Sequence, residues 1–535
     1  MSIHLPPLRR GFHLLWALAV LVVATVWAPV QAQAAPGLPS TNVAWVPAAA
    51  DADVDRAFAQ ARAENKPVLL YWGATWCPPC NQLKATLFNR QDFAAQAKNF
   101  VAVHVDGDRP GAQRLGARFK VRGYPTVLLM TAAGAEISRL PGDADAPQIM
   151  AVLQAGLSGG RPIQRVLADA RAGQPLSANE WRMLAFHGWE VDEEQLVPAK
   201  ERPALLAELA RRSETAGGAR DAETSTRLWL KALAASDDGK GLKPEAAQRE
   251  LVQRVLADAA LTRTHMDVLA NEAADIVQVL TAQDSPERAA LAARYEVALV
   301  RLQADATLSR ADRLTALVAR VRLGRLGQGK DVVQPRLPEA LLREVRDTAV
   351  RLDREITDGY ERQAVITTAG WLLGQAGLWA ESDALLKANL AKSHSPYYLM
   401  SQLGGNARRL GRTDEALQWF QQAFERSEGP ATRLQWGAGY ISALVELAPA
   451  DAVRIEKTAG QLFSEAARDK GAFHERSARS LQRVGSKLNE WNKDGSKAAA
   501  LQRLKRQLDS VCAAVEAADG QRATCESLLK VKTAG

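Results

Sequence analysis

Apolar positions change their spacing once along this chain, near residue 158. Before it, short apolar runs alternate with amphipathic stretches. Asp51 to Asn65 carries Val54, Phe58 and Ala61 at helical spacing, and Val68 to Trp72 is a run that fits a short buried strand. Asn81 to Phe88 is helical again, with Leu83 and Leu87 four apart on one face. The Val-rich Asn99 to Asp106 predicts a second strand and Pro110 to Phe119 a short helix. Thr126 to Met130 predicts a third strand and Glu136 to Leu140 a fourth, after a turn at Ala133-Gly134; Ala146 to Leu157 closes as a helix. The order α-β-α-β-α-β-β-α predicts an α/β domain over 51–158. Ser158-Gly159-Gly160-Arg161-Pro162 reads as a linker. Beyond it, Ala/Leu/Arg/Glu-rich segments broken at Gly217-Gly218, Asp237-Asp238-Gly239 and Gln334-Pro335 predict an all-helical region over 163–535.

One internal repeat sharpens that second region. Gly377, Glu381, Leu386 and Pro396 recur 34 residues later as Gly411, Glu415, Phe420 and Pro430. A helix–turn–helix period of 34 is the tetratricopeptide spacing. The segment Leu410-Gly411-Arg412-Thr413-Asp414-Glu415-Ala416-Leu417 is similar to the second half of such a repeat. The earlier copy is looser, with Ser382 where Ala416 stands, and a further step of 34 from Gly411 lands on Val445 and breaks the pattern. The expectation is about two tetratricopeptide-like repeats near 363–430 inside a longer helical array. A helical bundle whose Gly and Pro fall at helix ends stays open as the alternative.

The first residues are of another kind. Arg9 and Arg10 precede a charge-free apolar run from Leu14 to Trp27, and Ala32-Gln33-Ala34 is a small-x-small site. This predicts a signal peptide over 1–34, an Ala/Pro-rich linker over 35–50, and export to an oxidising compartment, read as the periplasm of a Gram-negative bacterium. The apolar run is short for a membrane span, so no stable span is expected after cleavage. An uncleaved anchor and a twin-arginine export route both stay open. The formal charge of +8 over 535 residues is spread without a basic block, so no nucleic-acid partner is expected.

Candidate chemistry concentrates in Tyr71-Trp72-Gly73-Ala74-Thr75-Trp76-Cys77-Pro78-Pro79-Cys80. Two cysteines with two residues between them follow a strand and open a helix. Unpaired N–H groups and the helix dipole at such a start favour a thiolate at Cys77, and Cys80 is placed to resolve a mixed disulfide. Zinc uses the same spacing, but no second cysteine pair or histidine pair lies near. The other cysteines, Cys512 and Cys525, flank Ala518-Asp519-Gly520, a turn between two helical stretches; a structural disulfide clamping that hairpin is expected, with a second redox pair as the alternative.

The element order, Trp76-Cys77-Pro78-Pro79-Cys80, Asp106 at a strand end, and Val121-Arg122-Gly123-Tyr124-Pro125-Thr126 together resemble the thioredoxin family over roughly residues 51–158. The resemblance implies that Cys77 is the nucleophile and Cys80 the resolving thiol. It also implies that Pro125 is cis and faces the pair, that Tyr124 lines the groove for an extended substrate peptide, and that Trp76 flanks the nucleophile. It implies no metal or organic cofactor. Thioredoxins usually carry a buried carboxylate six positions before the first cysteine. Here that position is Tyr71, and a tyrosine hydroxyl is a poor base near neutrality. Asn81 stands where a lysine often follows the pair, and the nearest lysine is Lys84. Asp106 receives no catalytic role, and His104 reads as a structural histidine.

The resulting expectation is an exported thiol–disulfide oxidoreductase acting on protein thiols and disulfides, with the helical region aiding partner choice. Its electrons would pass to or from another dithiol protein, a membrane-bound one among the options. The direction of electron flow is open. The alternative is a non-catalytic interaction or redox-sensing protein whose helical array does the work.

Overall fold

β-Branched and aromatic residues cluster into five strands: β1 (Val46–Ala48), β2 (Val68–Gly73), β3 (Val101–Asp106), β4 (Thr126–Met130) and β5 (Glu136–Leu140). The computed structural model describes residues 43–192, 195–215, 222–236, 241–517 and 520–530. The expected signal peptide, the first half of the expected 35–50 linker, and the turns at Gly217-Gly218 and Asp237-Asp238-Gly239 lie outside these residues.

The strands form one sheet in the order β1-β3-β2-β4-β5. β1 and β2 run parallel to β3; β4 is antiparallel to β2, and β5 to β4. β2 is central and every residue in it is buried. Its alternation sends Leu69 and Tyr71 into one core and Val68, Leu70 and Trp72 into the core on the opposite face. Helices α1 (Asp51–Glu64), α2 (Pro78–Leu83), α3 (Gln91–Gln96), α4 (Ala112–Arg118) and α5 (Ala146–Leu157) complete this layer. The helix expected to continue through Phe88 widens instead into a π-helical turn over Lys84–Phe88. The fold class is as expected, an α/β domain followed by an all-α region.

Two expectations about linkers need correction. The described end of the 35–50 stretch is not wholly a linker, because Val46–Ala48 pairs with Val103–Val105 as an edge strand. Pro47, which cannot donate to a ladder, is tolerated at that edge, and Trp45 packs on Tyr71, Phe88 and Phe93. Residues 158–162 are a turn within one continuous core. Leu129, Ile149 and Leu153 share a buried cluster with Ile163, Val166, Trp181, Leu228 and Leu299. The helical region therefore completes the sheet domain's hydrophobic face.

That region comprises twenty helices among the described residues: α6 (Ile163–Arg171), α7 (Ala178–Phe186), α8 (Arg202–Thr215), α9 (Ala222–Ala234), α10 (Ala246–Ala257), α11 (Ala259–Thr264), α12 (Met266–Asn271), α13 (Ala273–Leu280), α14 (Pro286–Ala304), α15 (Arg310–Gly324), α16 (Glu339–Glu355), α17 (Gly359–Gln375), α18 (Trp379–Asn389), α19 (Pro396–Arg409), α20 (Thr413–Arg426), α21 (Pro430–Leu447), α22 (Ala452–Ala466), α23 (Glu475–Trp491), α24 (Ala498–Ala514) and α25 (Gln521–Ser527).

The 34-residue offset maps onto equivalent places. Gly377 and Gly411 adopt φ of 81° and 70° in the turns before α18 and α20, a conformation that favours glycine. Pro396 and Pro430 open α19 and α21, where a missing N–H costs nothing. Gly370 and Gly404 extend the same offset. An added Cβ would lie 2.6 Å from Leu386 at the first and 3.1 Å from Phe420 at the second. Ser382, the residue that loosened the earlier copy, is buried and donates to Gly370 O at 2.7 Å, so its hydroxyl is satisfied inside the pair. Trp419 and its neighbour Phe420 are both half-buried, because α20 is packed between α19 and α21.

Candidate functional site

β2 delivers the chain to the site. After Gly73 a short turn leads to Cys77, the N-cap of α2. Pro78 and Pro79 fill the first two helical positions and have no N–H to offer. The first peptide donor of the helix is therefore Cys80 N–H, which donates to Cys77 Sγ at 3.2 Å. Asn81 Nδ2 donates to Thr75 O at 2.7 Å and Cys77 O at 2.8 Å, tying the turn to the helix it precedes. Cys77 and Cys80 are joined by a disulfide. Ala74, Trp76 and Tyr124 pack against the pair. The Tyr124–Pro125 bond is cis, and Pro125 directly precedes Thr126, which pairs with Trp72 of β2. The sheet register thus brings Trp76, Cys77, Cys80, Tyr124 and Pro125 to one pole of the domain. Cys512 and Cys525 form a second disulfide elsewhere, between α24 and α25.

Beneath the pair lies a titratable cluster. Tyr71 stacks on His104 at 5.1 Å, and its buried hydroxyl has no hydrogen-bond partner. Burial, with Asp106 adding to it, pushes that hydroxyl far above its ordinary range. His104 points to the Tyr71 side; burial and the cations Lys84 and Arg109 lower it to about 3, so it is neutral. Asp106 is raised, first by burial and then by Asp108. Lys84 is buried and falls to about 8 by desolvation, partly offset by Asp106.

Cys77 stands at the start of α2. It is only 2% exposed, and Cys80 is 0%. The cover comes from the helical array. Gln363 of α17 donates to Trp76 O at 3.0 Å, and Gln82 donates to Asp312 of α15 at 3.0 Å. The Trp76 ring stacks on Tyr398 at 5.9 Å, and Trp436 lies tilted at 5.5 Å. Trp76 Nε1 donates to both Asp108 Oδ2 (2.9 Å) and Thr432 Oγ1 (2.8 Å). Arg476 of α23 closes the arrangement. It pairs with Asp108 Oδ1 at 3.2 Å, donates to Thr432 Oγ1 at 2.8 Å, and sits 4.9 Å from the Trp76 ring and 5.3 Å from that of Tyr124. Arg476 N–H also donates to Gln113 Oε1, and Gln113 in turn donates to Tyr124 OH at 2.6 Å. At Gly429 the approach is close enough that a Cβ would sit 2.6 Å from Asp108 Cβ.

Two of the expected groove residues, Trp76 and Tyr124, are thus engaged by the chain's own helices. A gap of about 110 Å³ beside Pro78 and Pro79, walled by α15 and α17, is too small for a peptide. A larger cavity of about 570 Å³, lined in part by Asp55, Arg62 and Arg118, contains none of the motif residues. Arg476, Thr432, Gln363 and Asp108 are contributions that the sequence did not signal, because three of them lie some 290 to 400 positions from the motif they touch. Glu136, His187 and Asp192 form the one candidate metal-ligand group among the described residues. Its carboxylates are already engaged, Glu136 by Arg139 at 2.9 Å and Asp192 by His187 at 3.2 Å.

Residues 54–157 match the model of a thioredoxin-like domain. Over 155 residues the chain is 30% identical to thiol:disulfide interchange protein DsbD 2 of Pseudomonas aeruginosa, covering 26% of this chain and 26% of that protein. Over 114 residues it is 32% identical to thiol:disulfide interchange protein DsbD 1 of the same organism, covering 21% and 19%. The solution structure of a thioredoxin from Thermus thermophilus is 27% identical, covers 21% of this chain and 86% of that one, and gives a TM-score of 0.19. The chain thus spans about a quarter or less of the length of these curated relatives.

Proposed function

We propose, from a chain whose residues 54–157 are a domain of the thioredoxin family, that it is a protein thiol–disulfide oxidoreductase. The observation that carries this is the bonded Cys77–Cys80 pair at a helix N-cap, with Cys80 N–H directed at Cys77 Sγ. A donor at that sulfur favours its thiolate once the pair is reduced. In the reductive direction, Cys77 Sγ attacks a substrate disulfide and releases one substrate thiol. Cys80 then attacks Cys77 Sγ, re-forms the internal disulfide and releases the second thiol; the oxidative direction is the reverse. Trp76, Tyr124 and Pro125 shape the substrate groove, and Cys512–Cys525 is structural.

Proteins bearing thiols or disulfides, and a dithiol redox partner, are the partners in this reading. It places the mature chain in the periplasm after removal of the 1–34 segment. Among the described residues no helix is long and apolar enough to cross a membrane. The helix pairs α17–α18 and α19–α20 are assigned as tetratricopeptide-like repeats that aid partner choice; their shared 34-residue offset supports this.

A second reading, a redox-sensing or interaction module, is favoured by the closure over Cys77. Insulin reduction driven by a dithiol, with trapping of mixed disulfides, separates the two. Wild type is expected to turn over, Cys77→Ser to fall to the rate of the dithiol alone, and Cys80→Ser to accumulate a covalent adduct. Turnover retained in Cys77→Ser would sink the oxidoreductase reading. A wild-type pair that exchanges with nothing would favour the sensor.

A further inference from the structure

In the proposed exchange the inner thiol, Cys80, must lose a proton before it can attack. The groups around it narrow the choice of acceptor. Tyr71 and His104 sit under the pair, but the first holds its proton too tightly and the second too weakly to share one near neutrality. Asp106, at the end of β3 and in register with Gly73, already accepts the Asp108 N–H at 3.1 Å. Lys84 is placed differently. It lies four residues after Cys80, and its backbone N–H donates to Cys80 O, so the two side chains share a helix face one turn apart. Its side chain is 3% exposed. Among the described residues Lys84 Nζ makes no hydrogen bond or ion pair; it lies 5.2 Å from the centre of the Tyr360 ring, which α17 brings over it. A buried amine without a fixed carboxylate partner thus stands one turn from a buried sulfur, on the same helix face.

We propose that Lys84 is the group that takes the Cys80 proton when Cys80 attacks the mixed disulfide, and that returns it in the reverse direction. The inference rests on the oxidoreductase reading. Cys80 S–H gives its proton to Lys84 Nζ, and Cys80 S⁻ attacks Cys77 Sγ. The Cys77–Cys80 bond forms as the bond from Cys77 to the substrate sulfur breaks. The pair of cysteines is oxidised by two electrons, the substrate disulfide is reduced, and the departing substrate thiolate takes up a proton from Lys84 or solvent. Burial lowers Lys84 to about 8, toward the range in which an amine can exchange a proton near neutrality. The titratable and charged groups facing Lys84 are Asp106 and His104 from β3, Tyr360 from α17 and His394 before α19; Arg109 acts on His104 and Asp106, and Tyr71 faces Asp106 and Tyr360. His394 is lowered to about 4 by burial and by Lys84, so it too is neutral near pH 7.

The test uses the full chain. In Cys77→Ser, with Cys512–Cys525 bonded, Cys80 is the single free thiol, and its thiolate absorbance can be titrated directly. Adding Lys84→Met is expected to raise the Cys80 midpoint by roughly one pH unit, a tenfold fall in thiolate near neutrality, whereas Lys84→Arg keeps the midpoint low. In the otherwise wild-type chain, release of a peptide from its mixed disulfide with Cys77 is followed against pH by stopped flow. Two ionisations are expected, belonging jointly to the Cys80–Lys84 pair, and one in Lys84→Arg, whose guanidinium does not titrate in the range. An unmoved Cys80 midpoint in Lys84→Met, or two ionisations surviving in Lys84→Arg, would overturn the proposal. If Lys84→Met does not fold, Lys84→Arg decides alone. A wild-type chain that forms no mixed disulfide at any pH would instead overturn the oxidoreductase reading.

Discussion

The two disulfides have the same burial and different surroundings. Cys77 and Cys512 are each 2% exposed, and Cys80 and Cys525 are each 0%. Cys77 caps the start of α2, where the dipole favours negative charge, and receives an N–H from Cys80. Cys512 lies in the last turn of α24, where the dipole disfavours it. Around the first pair stand Lys84, Asp106, Asp108 and Arg476; around the second stand Leu504, Leu508, Leu528 and Val484. Access therefore does not separate the pair proposed as reactive from the pair proposed as structural. The field at the sulfur does: one thiolate would be stabilised and the other would not.

Three measurements break or sharpen that contrast. The largest effect is expected from replacing Cys512 and Cys525 together by Ala. Opening a loop of this length removes about 3 kcal/mol of stability in denaturant titrations while leaving exchange at Cys77 unaltered. Loss of exchange in that variant would make the second pair part of the chemistry. Next comes His104, stacked beneath the first pair. Its value falls from 6.5 to about 3 on folding, so the unfolded chain binds the proton more readily. Its contribution is fully present above pH 6.5 and is lost as pH falls from there toward 3. Between pH 7 and pH 5 wild type should lose about 2 kcal/mol relative to His104→Phe. Parallel pH–stability curves for the two proteins would show that the histidine is not held neutral. The smallest effect is Arg476→Ala, which removes two ring contacts and the ion pair to Asp108. Alkylation of reduced Cys77 by a bulky reagent should speed up roughly tenfold, about 1.4 kcal/mol of closure. An unchanged rate would mean that the cover stays in place without Arg476.

Much of the α/β layer was legible because its signals are local. β4, β5 and α5 occupy the expected residues, and a turn of Gly123, Tyr124 and Pro125 announces itself in sequence. Val46–Ala48 was missed because three residues containing a proline carry no periodicity; only the ladder with β3 makes them a strand. The turn at 158–162 looked like a domain boundary because Gly and Pro cluster there. Whether apolar faces on its two sides meet is a tertiary fact, and Leu153 and Val166 do share a core. The cover over Cys77 was illegible for the same reason. Arg476 is an ordinary member of an amphipathic helix until folding sets it beside Asp108. The 34-residue offset was readable at Gly377 and Gly411, where φ demands glycine. The close approaches at Gly370 and Gly404 became visible only with the helices packed.

The placement of Arg476 also has a consequence in time. It is joined to Asp108 across 368 residues of chain. At about 5–20 residues per second, a ribosome needs roughly 20–70 s to make that stretch. Throughout this interval the sheet domain and its two cysteines exist without the helix that completes their enclosure. The nascent pair therefore meets whatever oxidants and thiols surround it before α23 arrives.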